Sequence, residues 1–420
     1  MFKKFFAPGA LFSYKDYRNL FISGTLVIVG ASAFPIALAV SVLDSGGSAS
    51  TLGLILAARV LSGTFFSLVG GVWADRLPRK YMMMGGDVFR GFLALILVVI
   101  ATPDVPQWAI GLIVFLMGVG DALGAPASLA IIPTILPPDK LPAGNVARGM
   151  AQRMGTIVGP GVGGLSVVLI GGRYTFAIVA ALFFLGTAFL GGIKEPPMTS
   201  RSESNPKFFL ELKEGIRTVR EMPWVAACIA MASFQLMVIV AADAVLLPVI
   251  SRREFGTDSV FASSLAMFSL GGMISALLAL RFRAKHPGLA SISLWSLFGF
   301  APLVLAFPIS PTFVIAGYFL AGLSIGGWEA YWTTALQKEI PQELQGRVFS
   351  VDMMGSGALM PLGMALAGPA TVLFGEREFL VGTIVFHLIF CVLVLMVPGV
   401  KDFKMPHGKA NYSEGEQPHP

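Results

Sequence analysis

Residues 70–91, GGVWADRLPRKYMMMGGDVFRG, decide the fold. Asp75, Arg76, Arg79 and Lys80 fall within six residues, and the segments on both sides are among the most apolar of the chain. A short, basic turn between two apolar runs is typical of a loop that joins two membrane-crossing helices. The composition of the whole chain tests this interpretation.

The composition excludes an ordinary soluble globular protein. Of the 420 residues, 55% are hydrophobic and 13% are charged, whereas soluble domains carry roughly 25% charged residues. Cys228 and Cys391 lie in apolar runs, which argues against a disulfide, a metal site or a catalytic thiol. The first residues show no small-residue cleavage site of a signal peptide. We therefore expect a polytopic membrane protein.

Twelve apolar runs are long enough to cross a bilayer, because a spanning helix needs about 20 residues. They lie near 18–43, 50–74, 81–101, 107–132, 144–170, 174–193, 224–250, 258–281, 289–308, 312–336, 350–374 and 378–398. Runs such as LALILVVIA do not alternate apolar and polar residues, as the strands of a membrane barrel would. The sequence predicts an all-α protein with twelve transmembrane helices.

The basic residues orient the chain. An even number of spans puts both termini on one side, and placing that side in the cytoplasm leaves 22 loop and terminal cations inside against four outside. Positive charge stays cytoplasmic in membrane proteins. We expect a protein of the cytoplasmic membrane with both termini inside. The net charge of +6 then reflects topology, and no nucleic-acid partner is expected.

A polar segment divides the chain into two blocks of six spans. The blocks are 1–193 and 224–400, and the linker between them is 194–223. Within the linker, FFLELKEGIRTVRE has apolar residues at helical spacing, which predicts an amphipathic helix on the inner membrane surface. The polar tail, 401–420, is expected to be disordered and cytoplasmic.

The charged loop carries a known motif. Its residues match Gly-x-x-x-Asp-Arg-x-Gly-Arg-Arg/Lys at Gly71, Asp75, Arg76, Arg79 and Lys80, with Pro78 where glycine is usual. In this the sequence resembles the major facilitator superfamily, whose fold is two six-helix bundles. The alternative is that these cations only enforce topology.

The resemblance implies a cytoplasmic gate at this loop. Asp75 would cap the N-terminus of span eleven, from the other bundle, and a carboxylate suits the positive end of a helix. Arg79 and Asp87 would complete a charge network there, and Asp87 lies one turn before Arg90 in span three. These contacts would break when the two bundles rock apart.

Span five carries a second motif, GTIVGPGVGG. Gly159, Pro160, Gly163 and Gly164 resemble the Gly-Pro-x-x-Gly-Gly signature of exporters in the superfamily, and Pro160 should bend the helix. The alternative is a helix-packing stripe of small residues. The same residues match a dinucleotide-binding pattern through Gly161, but that site needs a preceding strand and the start of a helix.

Two further segments, 124–149 and 332–356, resemble the drug:proton antiporter branch, which includes macrolide, tetracycline and enterobactin exporters. The similarity covers about residues 18–400. It implies a secondary transporter that exports an amphiphilic, drug-like small molecule in exchange for protons by alternating access. A dedicated siderophore or natural-product exporter, or a lipid translocase, remains open.

Charged residues inside the spans are the candidate coupling groups, because ionisable side chains at membrane depth are costly and functional. The sequence contains no nucleotide-binding loop, so an ion or substrate gradient must supply the energy. Asp121 in span four is the preferred proton carrier, with Arg59 of span two as its partner. Glu329 in span ten and Asp243 in span seven are next. The alternative for Asp121 is a hydrogen-bonded strut between helices.

Glu329 lies among aromatic residues, namely Trp328, Tyr331 and Trp332. An acid beside aromatic rings suits a lipophilic cation, but the same residues could form an interfacial aromatic belt. His387 in span twelve is expected to be a packed residue rather than a proton relay.

Other classes of protein fit less well. A membrane enzyme would need a nucleophile with its base or a metal-ligand cluster, and the four histidines are scattered. A membrane sensor usually carries a soluble domain larger than this linker. We expect no enzymatic activity, no metal and no cofactor, and a protein that functions as a monomer in the bilayer.

Overall fold

The computed structural model describes residues 10–74, 77–195, 208–282 and 284–404. Within these ranges every regular element is a helix. The loop residues Asp75 and Arg76 and the tail beyond 404 lie outside the described residues.

The helices of the first half follow the predicted spans. They are α1 Lys15–Asp44, α2 Ala49–Ala74, α3 Arg79–Ile100, α4 Gln107–Ala130, the short α5 Ile132–Ile135 and α6 Leu141–Gly191. The last of these is two spans in one, because its backbone leaves the helical region at Gly171, with φ 84° and ψ 162°. Glycine tolerates positive φ without a steric cost. Pro160 lies inside the helix. The kink at Gly171 separates two helices, in agreement with the separate spans predicted at 144–170 and 174–193.

The second half begins with the predicted amphipathic helix. Its elements are α7 Phe208–Glu221, α8 Pro223–Phe255, α9 Ser259–Arg281, α10 Pro287–Ser296, α11 Phe300–Ala306, α12 Pro311–Glu339, α13 Gln342–Gly357, α14 Met360–Phe374 and α15 Glu376–Leu395. A short 3₁₀ turn joins α10 to α11 within span nine, and a brief break separates α13 from α14 within span eleven.

The number of membrane crossings agrees with the prediction. Among the described residues, eleven helical stretches are long and apolar enough to cross a membrane, and one of them, 49 residues long, is the pair of spans joined at Gly171. Counting that pair separately gives twelve. The all-α, twelve-helix fold class is therefore confirmed.

The helices pack as two bundles. In the first, α1 packs against α6, and α4 packs against α2 and α3; in the second, α12 packs against α9 and α10, and α8 against α14 and α15. The bundles meet where α2 contacts α14 and α6 contacts α9. We call the face of the molecule that carries the turns after Asp44 and Phe255 the Asp44 end. We call the opposite face, which carries the turn before α3, the Lys80 end.

Small residues bring the bundles together near the Asp44 end. A Cβ atom at Gly53 of α2 would lie 2.2 Å from the carbonyl oxygen of Met364 in α14, and one at Gly164 of α6 would lie 2.1 Å from the Cβ of Ala262 in α9. Only glycine permits such close approach of helix backbones.

Candidate functional site

Four charged side chains from three helices of the first bundle form one cluster. The carboxylate of Asp121 accepts hydrogen bonds from Arg59 Nε at 3.0 Å and from Arg90 Nη1 at 2.7 Å. Arg90 also pairs with Asp87, three residues before it on α3. The cluster therefore contains two carboxylates and two guanidinium groups, and its formal charges balance.

Close helix packing positions the cluster. A Cβ atom at Gly118 of α4 would lie 2.2 Å from the carbonyl oxygen of Arg59, and one at Gly120 would lie 2.6 Å from Cγ of Arg90. Because these two positions of α4 are glycines, α2 and the Arg90 side chain can pack closely against α4, the helix that carries Asp121. The guanidinium groups also lie over aromatic rings: Arg59 is 4.6 Å from the centroid of Phe34, and Arg90 is 4.5 Å from that of Phe183.

The burial of the cluster is uneven. The side chains of Asp87 and Arg90 are buried, whereas 31% of the Asp121 side chain is exposed. Asp121 faces a cavity of about 370 Å³ that α1, α3, α4 and α6 enclose. A cavity of this size lies within the usual range for small-molecule sites, about 300–1,000 Å³. Asp121 is therefore the member of the cluster most open to the cavity.

The cavity extends from Asp121 toward the Lys80 end. Its wall there contains Tyr17 and Arg148. The Tyr17 hydroxyl donates to the carbonyl oxygen of Gly144 at 2.6 Å, and Arg148 donates to the Ser128 hydroxyl at 3.1 Å. This site therefore offers a substrate both polar and apolar contacts.

The predicted gate residues separate into two groups. Asp87 and Arg90 belong to the Asp121 cluster, whereas Arg79 pairs with Glu195. The charge network of Arg79 and Asp87 at the gate stays a prediction for the state in which the gate is closed. Gly71 lies in the last turn of α2.

The start of α3 is instead held by Glu195, which sequence reasoning missed. Its carboxylate accepts from the backbone N–H groups of Arg79 and Lys80 at 3.2 and 3.0 Å and lies 3.7 Å from the Arg79 guanidinium. The Lys80 ammonium donates to the carbonyl oxygens of Gly191 and Ile193. An acid at a helix N-terminus is a recognisable signal, but this helix begins more than a hundred residues earlier in the chain.

The predicted acids of the second bundle lie apart from one another. Asp243 of α8 is hydrogen-bonded by the Tyr318 hydroxyl of α12. Glu329 lies on α12 at a second cavity of about 370 Å³. Asp352 of α13 lines the same cavity and accepts from Trp332 Nε1 at 2.8 Å. Sequence reasoning missed Asp352, because the predicted span began at 350 and its acid fell at the membrane edge.

Two of the three aromatic residues around Glu329 belong to an aromatic cluster of the second bundle. Trp328 and Trp332 stack with centroids 5.6 Å apart, and Trp332, 5% exposed, also packs edge-on against Trp224. Tyr331 points elsewhere, since its hydroxyl donates to the carbonyl oxygen of Phe282. His387 is fully buried, and its Nε2 lies 3.1 Å from the Trp295 carbonyl oxygen.

The motif of span five is a contact surface on two sides. Cβ atoms at Gly159 and Gly163 would meet α1, at 2.4 Å from Ser32 Cβ and 2.9 Å from the Ala33 carbonyl oxygen, whereas Gly164 faces α9. Pro160 is buried in the same helix. These glycines therefore let α6 approach α1 and α9 closely, as a helix-packing stripe would.

Comparison with known proteins decides the family. The model of the Major Facilitator Superfamily matches residues 20–364. The chain belongs to the Major Facilitator Superfamily. Members are membrane transporters rather than enzymes, and the match agrees with the fold class and with the resemblance drawn from the charged loop.

Curated relatives lie in the exporter branch of the superfamily. The chain is 24% identical to macrolide efflux protein A of Streptococcus pyogenes over 86% of this chain and 89% of the relative. It is 27% identical to the multidrug efflux pump Tap of Mycobacterium tuberculosis over 79% of this chain and 81% of the relative.

Solved structures of other superfamily members share the fold. The nucleoside transporter NupG superposes with a TM-score of 0.70 at 13% identity, and the match covers 90% of this chain and 98% of the transporter. A bacterial homologue of the human lysosomal transporter Spinster, in an inward-facing conformation, has a TM-score of 0.71 at 15% identity over 92% of this chain and 98% of its own. At these identities the likeness establishes the fold alone.

Proposed function

We propose that this protein exports an amphiphilic, drug-like molecule across the cytoplasmic membrane in exchange for protons. The Asp121 cluster is the observation that carries the proposal: a carboxylate held by two guanidinium groups opens onto a cavity at membrane depth. Ionisable groups in such positions mark proton and substrate pathways. Two relatives of this chain, a macrolide efflux protein and a multidrug efflux pump, support export.

The cluster suggests how a proton is coupled to the conformational change. Protonation of Asp121 removes one of two negative charges and leaves Arg59 without a charged carboxylate, whereas Arg90 still pairs with Asp87. A buried guanidinium without a carboxylate is costly. The cluster then favours an arrangement in which the helices that carry it move apart, and loss of the proton on the other side restores the pairing.

The conformation described here is one end of the proposed cycle. The bundles, proposed as residues 1–193 and 224–400 joined by the linker, meet through glycines near the Asp44 end, and the Asp121 cavity extends toward the Lys80 end. Loop cations concentrate at the Lys80 end, which we therefore assign to the cytoplasm. The conformation is then inward-open. In the opposite state the loop of Gly71, Asp75, Arg76, Arg79 and Lys80 would close the cytoplasmic side, and Glu195 would hold the start of α3 in both states.

Dye accumulation in a bacterium that lacks its major efflux pumps tests the function. Expression of the protein should lower the accumulation of ethidium, and a protonophore should abolish the difference, because the proton gradient drives export. A difference that survives the protonophore would contradict proton coupling. Unchanged accumulation at normal membrane levels of the protein would contradict broad export and indicate a single dedicated substrate.

An ion pair across the two bundles gives a smaller, conformational prediction. Arg252 of α8 contacts Asp44 of α1 at 2.8 Å and Asp258 at 2.5 Å. An exposed pair contributes about 0.2–1 kcal/mol, so Asp44→Asn should change the ratio of the two states by less than about fivefold. Hydrogen–deuterium exchange at the C-terminus of α1 and the N-terminus of α9 should rise accordingly.

The matched control is Glu376→Gln. It breaks another arginine–carboxylate pair, Arg253–Glu376 at 2.6 Å, but both residues belong to the second bundle. Exchange at the end of α1 should stay at the wild-type rate in this variant. Equal effects of the two substitutions would show that the Arg252–Asp44 contact does not stabilise the closed Asp44 end.

A further inference from the structure

The second bundle contains a cavity whose chemistry differs from that of the Asp121 site. It lies between α8, α12 and α13 and has a volume of about 370 Å³. Its wall contains three indole rings, those of Trp295, Trp328 and Trp332, and the carboxylate of Asp352. Among the described residues that line it, none is basic. The cavity therefore has acidic and aromatic walls.

Three indole rings form one wall. Trp328 and Trp332 are four residues apart, so they lie on the same face of α12. Their rings are nearly parallel, with an angle of 16° and centroids 5.6 Å apart, and Trp295 lies 5.2 Å from Trp328 at 40°. Indole faces attract cations more strongly than other aromatic side chains do.

The position of this wall is fixed from behind. Phe403, whose φ is 51°, is buried against Trp332 at 5.6 Å and against Trp224 at 5.5 Å. Trp224 meets Trp332 edge-on at 5.7 Å. The indoles are therefore held in place before any ligand binds, which lowers the entropic cost of binding.

Asp352 supplies the charge. One of its oxygens accepts from Trp332 Nε1 at 2.8 Å, and the other accepts from the Ser356 hydroxyl at 3.2 Å. An ionised carboxylate has about four acceptor positions, so these two bonds orient Asp352 and leave it able to face a cation. Among the described residues no Lys, Arg or His forms a salt bridge with it.

We infer that this cavity binds the cationic group of an organic ammonium or phosphonium substrate, with Asp352 as its counter-ion and Trp328 and Trp332 as its aromatic wall. Inorganic divalent cations prefer a shell of oxygen ligands, whereas most of this lining is indole and aliphatic surface. Asp352 disfavours anions. This inference rests on the proposed export function and names the class of molecule exported.

Binding of tetraphenylphosphonium to the purified full-length protein tests the inference. Equilibrium dialysis without any gradient measures affinity for radiolabelled tetraphenylphosphonium and, by competition, for the uncharged analogue triphenylphosphine oxide. Wild type should bind the cation more tightly than the oxide. Asp352→Asn, which keeps the shape and an acceptor for Trp332, should weaken binding of the cation by about tenfold or more and leave binding of the oxide unchanged.

A second pair of variants changes the aromatic wall and leaves the charge of Asp352 unchanged. Trp328→Leu should weaken binding of the cation, and Trp328→Phe should retain most of it, because phenylalanine keeps an aromatic face. Asp104→Asn, in the exposed turn between α3 and α4, serves as the control for a lost carboxylate elsewhere. Thermal melting of each variant verifies that it is folded.

The outcomes separate this inference from the proposed function. Failure of wild type to bind the cation, equal binding of the two compounds, or unchanged affinity in both Asp352→Asn and Trp328→Leu would overturn the inference, even if ethidium export is confirmed. Loss of affinity in these variants would support it, even if no proton-driven export is found, because dialysis needs neither a gradient nor transport.

Discussion

Asp121→Asn should abolish proton-driven export and destabilise the protein. The substitution keeps the shape of the side chain but removes the charge that Arg59 and Arg90 share. Leaving a buried charge without its partner costs about 3–5 kcal/mol, which corresponds to roughly a 100-fold change or more in an equilibrium constant. Thermal melting measures the destabilisation, and ethidium transport driven by an imposed pH gradient in proteoliposomes measures the coupling.

A double variant separates the two effects. Arg59→Gln together with Asp121→Asn restores the balance of charge, because Arg90 and Asp87 still pair on α3. We expect the melting temperature to recover while pH-driven transport stays at background. Exchange of labelled for unlabelled substrate, which needs no net proton movement, should persist if the cavity is intact.

The competing interpretation of Asp121, a structural strut, makes the opposite prediction. If balanced charge alone matters, the double variant should regain pH-driven export along with its stability. That result would assign the proton to another acid. Asp243, which the Tyr318 hydroxyl contacts in the second bundle, would then be the next residue to neutralise.

The sequence was sufficient for the fold because membrane proteins encode their spans in long apolar runs. The twelve predicted spans, the linker helix and the superfamily follow from such runs and from the charged loop. The pairing of Arg59 with Asp121 was also predictable, since an arginine at membrane depth needs a partner.

The remaining contacts depend on packing between helices that are distant in sequence. Arg90 is placed beside Asp121 by Gly120, and Glu195 reaches α3 from the end of α6. Asp352 belongs to the aromatic cavity only because α13 packs against α8 beside α12. Hydropathy and motif spacing indicate how deep a residue lies in the membrane and which residues are its neighbours on the same helix. They do not indicate which helices are in contact.

Gly164→Ala should block the transport cycle by a steric clash between the two bundles. The added methyl group would lie 2.1 Å from the Cβ of Ala262, whereas carbon atoms pack at about 3.5–4.0 Å, so α6 and α9 must separate by roughly 1.5 Å. Overpacking costs about 1–3 kcal/mol. The population closed at the Asp44 end should therefore fall by about 5- to 150-fold, and ethidium export should fall with it.

Two companion variants make this result specific. Gly161→Ala changes the same motif at a position where an added Cβ meets nothing within 4 Å, so it should export at the wild-type rate. Adding Ala262→Gly to Gly164→Ala removes the opposing methyl group and leaves the new Cβ 3.4 Å from the Cα of residue 262, an ordinary contact. Export should recover in this double variant, and spin-label distances across the Asp44 end should return to wild-type values. If export stays low after the methyl groups are exchanged, Gly164 is required for some property other than close contact with α9, such as the flexibility of span five beside Pro160.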